Sequence, residues 1–174
     1  MPGPDFETVV AGFYEPLYRF AMSLTRSEAD ACDLAQQTFY MWATKGHQLR
    51  DASKVKSWLF TTLYRAFLES RRTLTRFPHF ELTEADSDLP VVLPEAARRL
   101  DTAQAVEALG QMDAVYRAPV ALFYLEDCSY QEIADILEVP IGTVKSRMAR
   151  GLAQLKQIFA EIKPAPKQPR GPIE

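Results

Sequence analysis

Cysteine, histidine and glycine are scarce in this sequence, and each shortage excludes a class of protein. The 174 residues include 2 cysteines, 2 histidines and 7 glycines. Cys32 and Cys128 have no second thiol or histidine at ligand spacing, so we expect no metal site. No glycine-rich phosphate loop is present, and neither His47 nor His79 accompanies a nucleophile at a recognisable spacing. We therefore expect no enzyme, no cofactor and no bound metal.

Long apolar runs are missing as well. No run approaches the roughly 20 residues that a helix needs to cross a bilayer. The first ten residues, MPGPDFETVV, lack the basic start and apolar centre of a secretory signal. We therefore expect a cytoplasmic protein without membrane insertion. Its 47% hydrophobic and 25% charged residues are typical of folded domains.

The alternation typical of β-strands is also missing, and apolar residues recur at helical spacing instead. Residues 5–76 form a first helical part, and residues 101–162 form a second. Between them, residues 77–100 contain Pro, Thr, Ser and acidic residues, which are typical of a linker. Residues 163–174 form a basic, proline-rich tail. The sequence predicts an all-α fold of two small domains joined by a flexible linker, the second domain being a helix-turn-helix.

The ends of the first helices can be placed from single residues. Pro16 lies inside the opening helix and predicts a kink or a break into two short helices. Ser27 is a plausible N-cap for the next helix, with acidic residues in its first turn. Gly46 predicts the end of that helix. A third helix is expected over residues 53–72.

Charge is segregated along the chain, although the net charge is only -3. Residues 54–76 and 140–156 are rich in Lys and Arg, whereas residues 77–101 are mostly acidic. Weak overall acidity argues against a protein that coats nucleic acid by bulk attraction. The separate basic blocks instead predict local contacts with negative charge.

The strongest motif lies at residues 129–156. Ser129 and Glu132 form a capping box at the start of a helix over residues 129–137, and a three-residue turn at 138–140 leads into a second helix. A helix wheel separates an apolar face of that second helix from a polar one. The residues expected on or beside the polar face are Thr143, Lys145, Ser146, Arg147 and Arg150. This arrangement predicts a recognition helix that enters the major groove of DNA.

The third helix mixes aromatic side chains with cations. Rings stack on unpaired bases while neighbouring cations meet phosphates, so this mixture suits opened DNA. The alternative is that the aromatic residues form the core. For Trp58, Leu59, Leu63 and Phe67 we favour the core, because their spacing of three or four residues is a packing pattern. The cations and the loop before the helix then remain the better candidates for DNA contact.

Three segments together resemble the extracytoplasmic-function sigma factors, the small bacterial type with only two conserved sigma domains. They are DACDLAQQTFYMWA at 30–43, SWLFTTLYRAFLESRR at 57–72, and SYQEIADILEVPIGTVKSRMARG at 129–151. The last segment alone is shared with many helix-turn-helix regulators. The first two are more discriminating, and the resemblance extends over nearly the whole chain between Phe6 and Phe159.

The resemblance implies binding to core RNA polymerase, through the coiled coil of its largest subunit and through its flap, and recognition of promoter DNA. Polymerase contacts would be Asp30, Asp33, Gln36, Gln37 and Phe39. Contacts that read and melt the −10 element would be Lys54, Lys56, Trp58, Arg65 and Arg72. The −35 element would be read by the polar face of the second helix of the helix-turn-helix. Members of this family are often held by an anti-sigma factor, which no residue here identifies.

The sequence departs from the family at a few positions. The family usually has acids at positions 32 and 37, where Cys32 and Gln37 stand here. Either polar contacts substitute for them, or polymerase binding needs a partner or a charge-adding modification of Thr38. Tyr64-Arg65 stands where the family often has Arg-Asn, and Glu69 replaces a common Asp, so the −10 preference is not transferable. The rival interpretation is a helix-turn-helix regulator that binds DNA without polymerase, which leaves residues 30–43 and 54–76 without a purpose.

Overall fold

The computed structural model describes residues 3–72 and 101–161, and both parts are predominantly helical. The first contains α1 (Phe6–Thr25), α2 (Glu28–Lys45) and α3 (Val55–Arg72), with short 3-10 turns at Gly46–Gln48 and Ala52–Lys54. The second contains α4 (Thr102–Gly110), α5 (Ala114–Glu126), α6 (Tyr130–Leu137) and α7 (Ile141–Glu161). No strand occurs in these residues, which confirms the all-α prediction. The predicted linker and tail lie outside the described residues.

Local signals set most helix ends. Ser27 caps α2 by accepting a hydrogen bond from the backbone N–H of Asp30, as the sequence predicts. Helix α2 ends at Lys45, and Gly46 is its C-cap in an ordinary right-handed conformation. Gly46 is required here for close approach, because a Cβ atom would lie 2.6 Å from Cδ2 of Trp42.

The predicted break at Pro16 is wrong, because α1 is one continuous helix of 20 residues. Leu17, Phe20 and Ala21 follow the proline, and all three are fully buried. Apolar burial of this kind stabilises a helix by several kcal/mol, which is enough to offset the roughly 3 kcal/mol that an internal proline costs.

Each part of the chain has helices that pack on one another, and the two parts also pack together. Helices α1, α2 and α3 are in mutual contact, while α5 contacts α4, α6 and α7. In the second part, Gly151 lets α7 approach α5 closely, since a Cβ atom there would lie 2.6 Å from Cγ2 of Val120. Across the two parts, α1 packs against α4 and α5, and α3 packs against α6. One continuous apolar core therefore spans both domains.

Candidate nucleic-acid interfaces

Helices α6 and α7 form the predicted helix-turn-helix. Ser129 accepts from the backbone N–H of Glu132, whose carboxylate accepts from the backbone N–H of Ser129 in return. Glu138 ends α6 in the left-handed conformation, with φ of 57°, and turns the chain towards α7. Val144 and Met148 on α7 are fully buried. The capping box and the turn predicted from the sequence are thus confirmed.

The five residues predicted on or beside the polar face of α7 are called the α7 surface: residues 143, 145, 146, 147 and 150. This surface is only partly exposed. Lys145 and Arg150 are exposed, and Thr143 and Arg147 are half-buried. Ser146 is 4% exposed, and its hydroxyl donates to the backbone oxygen of Thr143 at 3.1 Å. The expectation that Ser146 is available on the polar face does not hold for this arrangement of the chain.

Helix α3 and the 3-10 turn before it carry the second set of predicted DNA contacts, residues 54, 56, 58, 65 and 72, which we call the α3 surface. Lys54, Arg65 and Arg72 are exposed. Trp58 is half-buried and packs edge-on against Trp42, with ring centroids 5.3 Å apart. Its ring therefore joins α3 to α2, as the core interpretation requires.

The other three residues that we assigned to the core form the apolar stripe of α3. Leu59 and Leu63 are fully buried and Phe67 is 7% exposed, so their assignment to the core is confirmed. The spacing of three or four residues was the signal that identified them, and the cations lie to either side of it.

An open groove of about 520 Å³ runs between α2 and α3. Trp58, Thr62 and Arg65 line it from α3, and Gln37 and Met41 line it from α2. Its volume is in the range of small-molecule sites. Sequence patterns missed Thr62 and Met41, because neither residue is charged or aromatic and only the packing of the two helices brings them together.

The outer face of α2 presents the residues expected to meet the polymerase. Asp30, Asp33, Gln36 and Gln37 are exposed. Phe39 is only 7% exposed and stacks near Tyr14, with ring centroids 6.3 Å apart, so it supports this face from beneath and offers no exposed contact. Tyr40, which the sequence analysis missed, is 69% exposed beside these residues.

Thr38 cannot receive a charge-adding modification in this fold. Its side chain is fully buried, and its hydroxyl donates to the backbone oxygen of Leu34 at 2.7 Å. The hypothesis that a modified Thr38 replaces the missing acids is therefore wrong. Cys32 is half-buried and Gln37 exposed, which leaves polar contact or a separate partner as the alternatives.

A buried ion pair joins the two domains. Glu126, the last residue of α5, accepts from both Nε and Nη2 of Arg19 on α1, at 3.3 and 3.2 Å. Its side chain is 5% exposed and that of Arg19 is 29% exposed. Burial raises the pKa of Glu126 to about 7, although the charges of Arg19 and Lys56 act in the opposite direction. The Nζ atom of Lys56 donates to the backbone oxygen of Glu126 at 2.7 Å.

A second, exposed ion pair joins α3 to the helix-turn-helix. Two nitrogen atoms of the Arg65 guanidinium, Nε and Nη2, donate to the carboxylate of Glu138, the residue at the turn between α6 and α7. These hydrogen bonds lower the pKa of Glu138. Nearby, burial raises the pKa of the Tyr64 hydroxyl, and the positive charge of Arg147 opposes that shift. Helix α3 and the helix-turn-helix are thus within electrostatic reach of each other.

Two further cations cross between the domains, and the Nη2 atom of Arg26 lies 3.9 Å from Oε1 of Glu107 on α4. Arg117 on α5 donates from Nη1 to the backbone oxygen of Leu24 at 2.9 Å and from Nη2 to that of Met112 at 2.6 Å. Burial lowers its pKa. We call the bonds made across the domains by Arg19, Lys56, Arg65 and Arg117 the interdomain contact.

Residues 3–72 and 101–161 contain neither a candidate metal site nor a helix suited to span a membrane. No group of His, Cys, Asp or Glu in these ranges is placed to hold a metal ion. Among the same residues, no helix combines the length and the apolar character that a membrane span requires.

Two family models match the chain. Residues 9–77 match sigma-70 region 2, and residues 102–155 match sigma-70, region 4. The chain is 31% identical over 163 residues to the ECF RNA polymerase sigma factor SigE of Mycolicibacterium smegmatis, covering 91% of this chain and 63% of that relative. It is 30% identical over 160 residues to the ECF RNA polymerase sigma factor SigM of Mycobacterium tuberculosis, covering 90% of this chain and 78% of that relative.

Solved structures share the fold. The sigma factor RpoE from Bartonella quintana, in complex with the anti-sigma factor NepR, matches with a TM-score of 0.67 and 24% identity. That match covers 92% of this chain and 99% of the other. CnrH in complex with the cytosolic domain of CnrY matches with a TM-score of 0.64 and 23% identity, covering 91% of this chain and 89% of the other.

Proposed function

The chain belongs to the extracytoplasmic-function RNA polymerase sigma factors, and we propose that its three surfaces divide the work of transcription initiation. A sigma factor binds core RNA polymerase, directs it to a promoter and helps to open the DNA there. Its partners are therefore core polymerase and promoter DNA, and an anti-sigma factor is a further candidate. The observation that carries the proposal is that one chain combines a capped helix-turn-helix with a second helix whose cations border an open groove.

The α7 surface reads the −35 element. Lys145 and Arg150 are exposed on the helix that follows the turn, where a recognition helix meets the major groove. Arginine can donate two hydrogen bonds to guanine, while lysine can meet a phosphate. Thr143 and Arg147 add donors that are half-buried in the present arrangement.

The α3 surface and its groove read and melt the −10 element. Taking a base out of the stack costs a few kcal/mol, which a pocket for the base and cations for its phosphates can offset. The groove between α2 and α3 provides an opening beside Trp58 and Arg65. Lys54 is exposed just before α3 and Arg72 is exposed at its end, where they can meet the flanking phosphates.

The outer face of α2 binds the coiled coil of the polymerase's largest subunit. Asp30 and Asp33 supply negative charge, and Gln36, Gln37 and Tyr40 supply polar and aromatic contact. Tyrosine is enriched at protein interfaces because it offers a large rigid surface with a polar end. The polymerase flap is the partner that we assign to the second domain.

Transcription in vitro tests this division. Purified bacterial core polymerase is incubated with promoter-containing genomic fragments, with and without the full chain. New start sites are expected only with the chain, and Arg150→Ala or Arg72→Ala should reduce their yield about ten-fold. Lys156→Ala is the matched control, because Lys156 is exposed on the same helix but lies outside the α7 surface. Footprints by the chain alone, without transcripts, would instead identify a regulator that acts without polymerase.

A further inference from the structure

Three arginines form a cluster outside the α3 and α7 surfaces. Arg26 directly follows α1, Arg71 lies in the last turn of α3, and Arg117 lies on α5. We propose that these three guanidinium groups bind a small, multiply charged phosphate ion of the pyrophosphate type. This binding site goes beyond the proposed function and does not depend on it.

Arg117 is the fixed member of this arginine cluster. Its Nη1 atom donates to the backbone oxygen of Leu24 at 2.9 Å, and its Nη2 atom donates to that of Met112 at 2.6 Å. Its Nε atom is buried and has no hydrogen-bond partner among the described residues. Arginine has five N–H groups, so two bonds leave donors for a further acceptor. The guanidinium plane is thus oriented in advance, and a ligand does not have to order it.

Arg26 belongs to the cluster because it contacts the same two chain segments that hold Arg117. It is the C-cap of α1, two residues after Leu24, and has a left-handed backbone with φ of 55°. Its side chain lies against Gly110, where an added Cβ atom would be 3.0 Å from Cγ of Arg26. Gly110 precedes Met112 by two residues. The end of α1 and the junction of α4 with α5 therefore place both arginines together.

Arg71 adds a third positive charge from α3. Its Cζ atom lies 5.2 Å from the centroid of the Phe67 ring, a cation–π contact that orients the side chain. Burial lowers the pKa of Arg117, and the positive charges of Arg26 and Arg71 lower it further. Both arginines are therefore close enough to Arg117 for the like charges to repel. An anion between them replaces this repulsion with attraction.

Two carboxylates of the described residues border the cluster and do not neutralise it. Oε1 of Glu107 lies 3.9 Å from Nη2 of Arg26, and the two side chains are 71% and 53% exposed. An exposed pair at that distance contributes little to stability. Asp113 raises the pKa of Arg117, but its carboxylate also accepts a hydrogen bond from Gln154. The three arginines outnumber the two acids, so positive charge remains for an anion.

Phosphate oxygens suit this set of donors. A guanidinium group is a planar fork that gives two parallel hydrogen bonds to a phosphate group. Three such groups on separate helices require an anion with several oxygen atoms and more than one negative charge. Chloride offers a single atom and a single charge. Because the bound phosphate ion would bridge α1, α3 and α5, its binding should also raise the stability of the folded chain.

Calorimetric titration of the full chain with sodium pyrophosphate measures the site directly. At about 50 mM NaCl we expect one pyrophosphate per chain, with a dissociation constant of about 0.1 mM. At about 5 mM pyrophosphate the midpoint of thermal unfolding should rise by about 5 °C. Additional NaCl at the same ionic strength should change that midpoint by less than about 1 °C. No binding, or an equal rise with NaCl, would overturn the proposal.

Variants at two different helices identify the cluster as the site. Arg26→Gln and Arg71→Gln each remove one charge, and each should weaken pyrophosphate binding about ten-fold. Arg50→Gln is the matched control, because it removes an equal charge from an exposed position before α3 and outside the cluster. It should change the affinity less than about two-fold. Arg117 is left unchanged, since its bonds also hold α5. Equal losses in all three variants would mean that net charge alone is responsible, and would overturn the proposal.

Titration with DNA separates a free phosphate ion from the phosphate groups of DNA. Fluorescein-labelled oligo(dT) of about 20 nucleotides should bind Arg26→Gln less than about two-fold more weakly than the unmodified chain, because Arg26 lies outside the α3 and α7 surfaces. An equal loss for oligo(dT) and pyrophosphate would make the cluster part of a DNA-binding surface and would overturn the assignment to a small anion. No polymerase is present, so the outcome is independent of the transcription experiment that tests the proposed function.

Discussion

Three arginine–glutamate pairs among the described residues link the two domains, and two of them differ sharply in their surroundings. Arg19 and Glu126 have side chains that are 29% and 5% exposed, whereas those of Arg65 and Glu138 are 64% and 50% exposed. The pKa of Glu126 is raised by burial, and the pKa of Glu138 is lowered by hydrogen bonds from Arg65. The same residue types therefore contribute to the contact in opposite ways as pH changes.

The difference follows from solvation. A buried carboxylate loses water that its partner only partly replaces, so its charged form is disfavoured even when an arginine is present. An exposed pair keeps most of its water, so the arginine favours the charged form of the carboxylate. The buried pair is thus suited to holding the domains in one arrangement. The exposed pair adds little to the free energy of that arrangement and is screened by salt.

The largest expected effect is on the pH dependence of stability. Glu126 has an ordinary pKa of 4.5 and a pKa of about 7 in the folded chain, so the folded chain binds its proton more tightly. The contribution of Glu126 to stability is therefore fully present below about pH 4.5 and is lost as pH rises through about 7. A shift of this size corresponds to at most about 3 kcal/mol.

Urea unfolding of the full chain between pH 4.5 and 8 measures this loss. The free energy of unfolding of the unmodified chain, relative to that of Glu126→Gln, should fall across this range, because glutamine does not titrate. Asp127→Asn removes the neighbouring exposed carboxylate and tolerates the left-handed conformation there, so it should leave most of the pH dependence intact. A difference that is flat with pH would show that Glu126 is not the responsible group.

Local elements of this fold could be predicted from the sequence, and contacts between distant residues could not. The capping box at Ser129 and Glu132 depends on residues three positions apart, so the pattern alone identifies it. The pairing of Arg19 with Glu126 joins residues 107 positions apart, and no local spacing indicates it. For the same reason the helix wheel placed Ser146 on an exposed face, since it describes one helix without its neighbours in the fold.

A double-mutant cycle isolates the buried pair. Arg19→Ala, Glu126→Ala and the combination are compared by urea unfolding at pH 8, where Glu126 is ionised. The coupling energy should be about 2 kcal/mol, because a charge left buried without its partner is strongly unfavourable. It should persist in 0.5 M NaCl, since salt screens buried charges poorly. A coupling energy near zero would mean that apolar packing, and not this ion pair, holds the two domains together.

The same cycle at the exposed pair should give the smallest effect. Arg65→Ala, Glu138→Asn and the combination are compared at pH 8, with asparagine chosen because it tolerates the left-handed conformation of residue 138. The coupling energy should be about 0.2–1 kcal/mol at low salt and should largely vanish in 0.5 M NaCl. A coupling energy equal to that of the buried pair would mean that burial does not distinguish the two ion pairs. A weak, screened coupling would mean that the exposed pair adds little to the packing of the two domains.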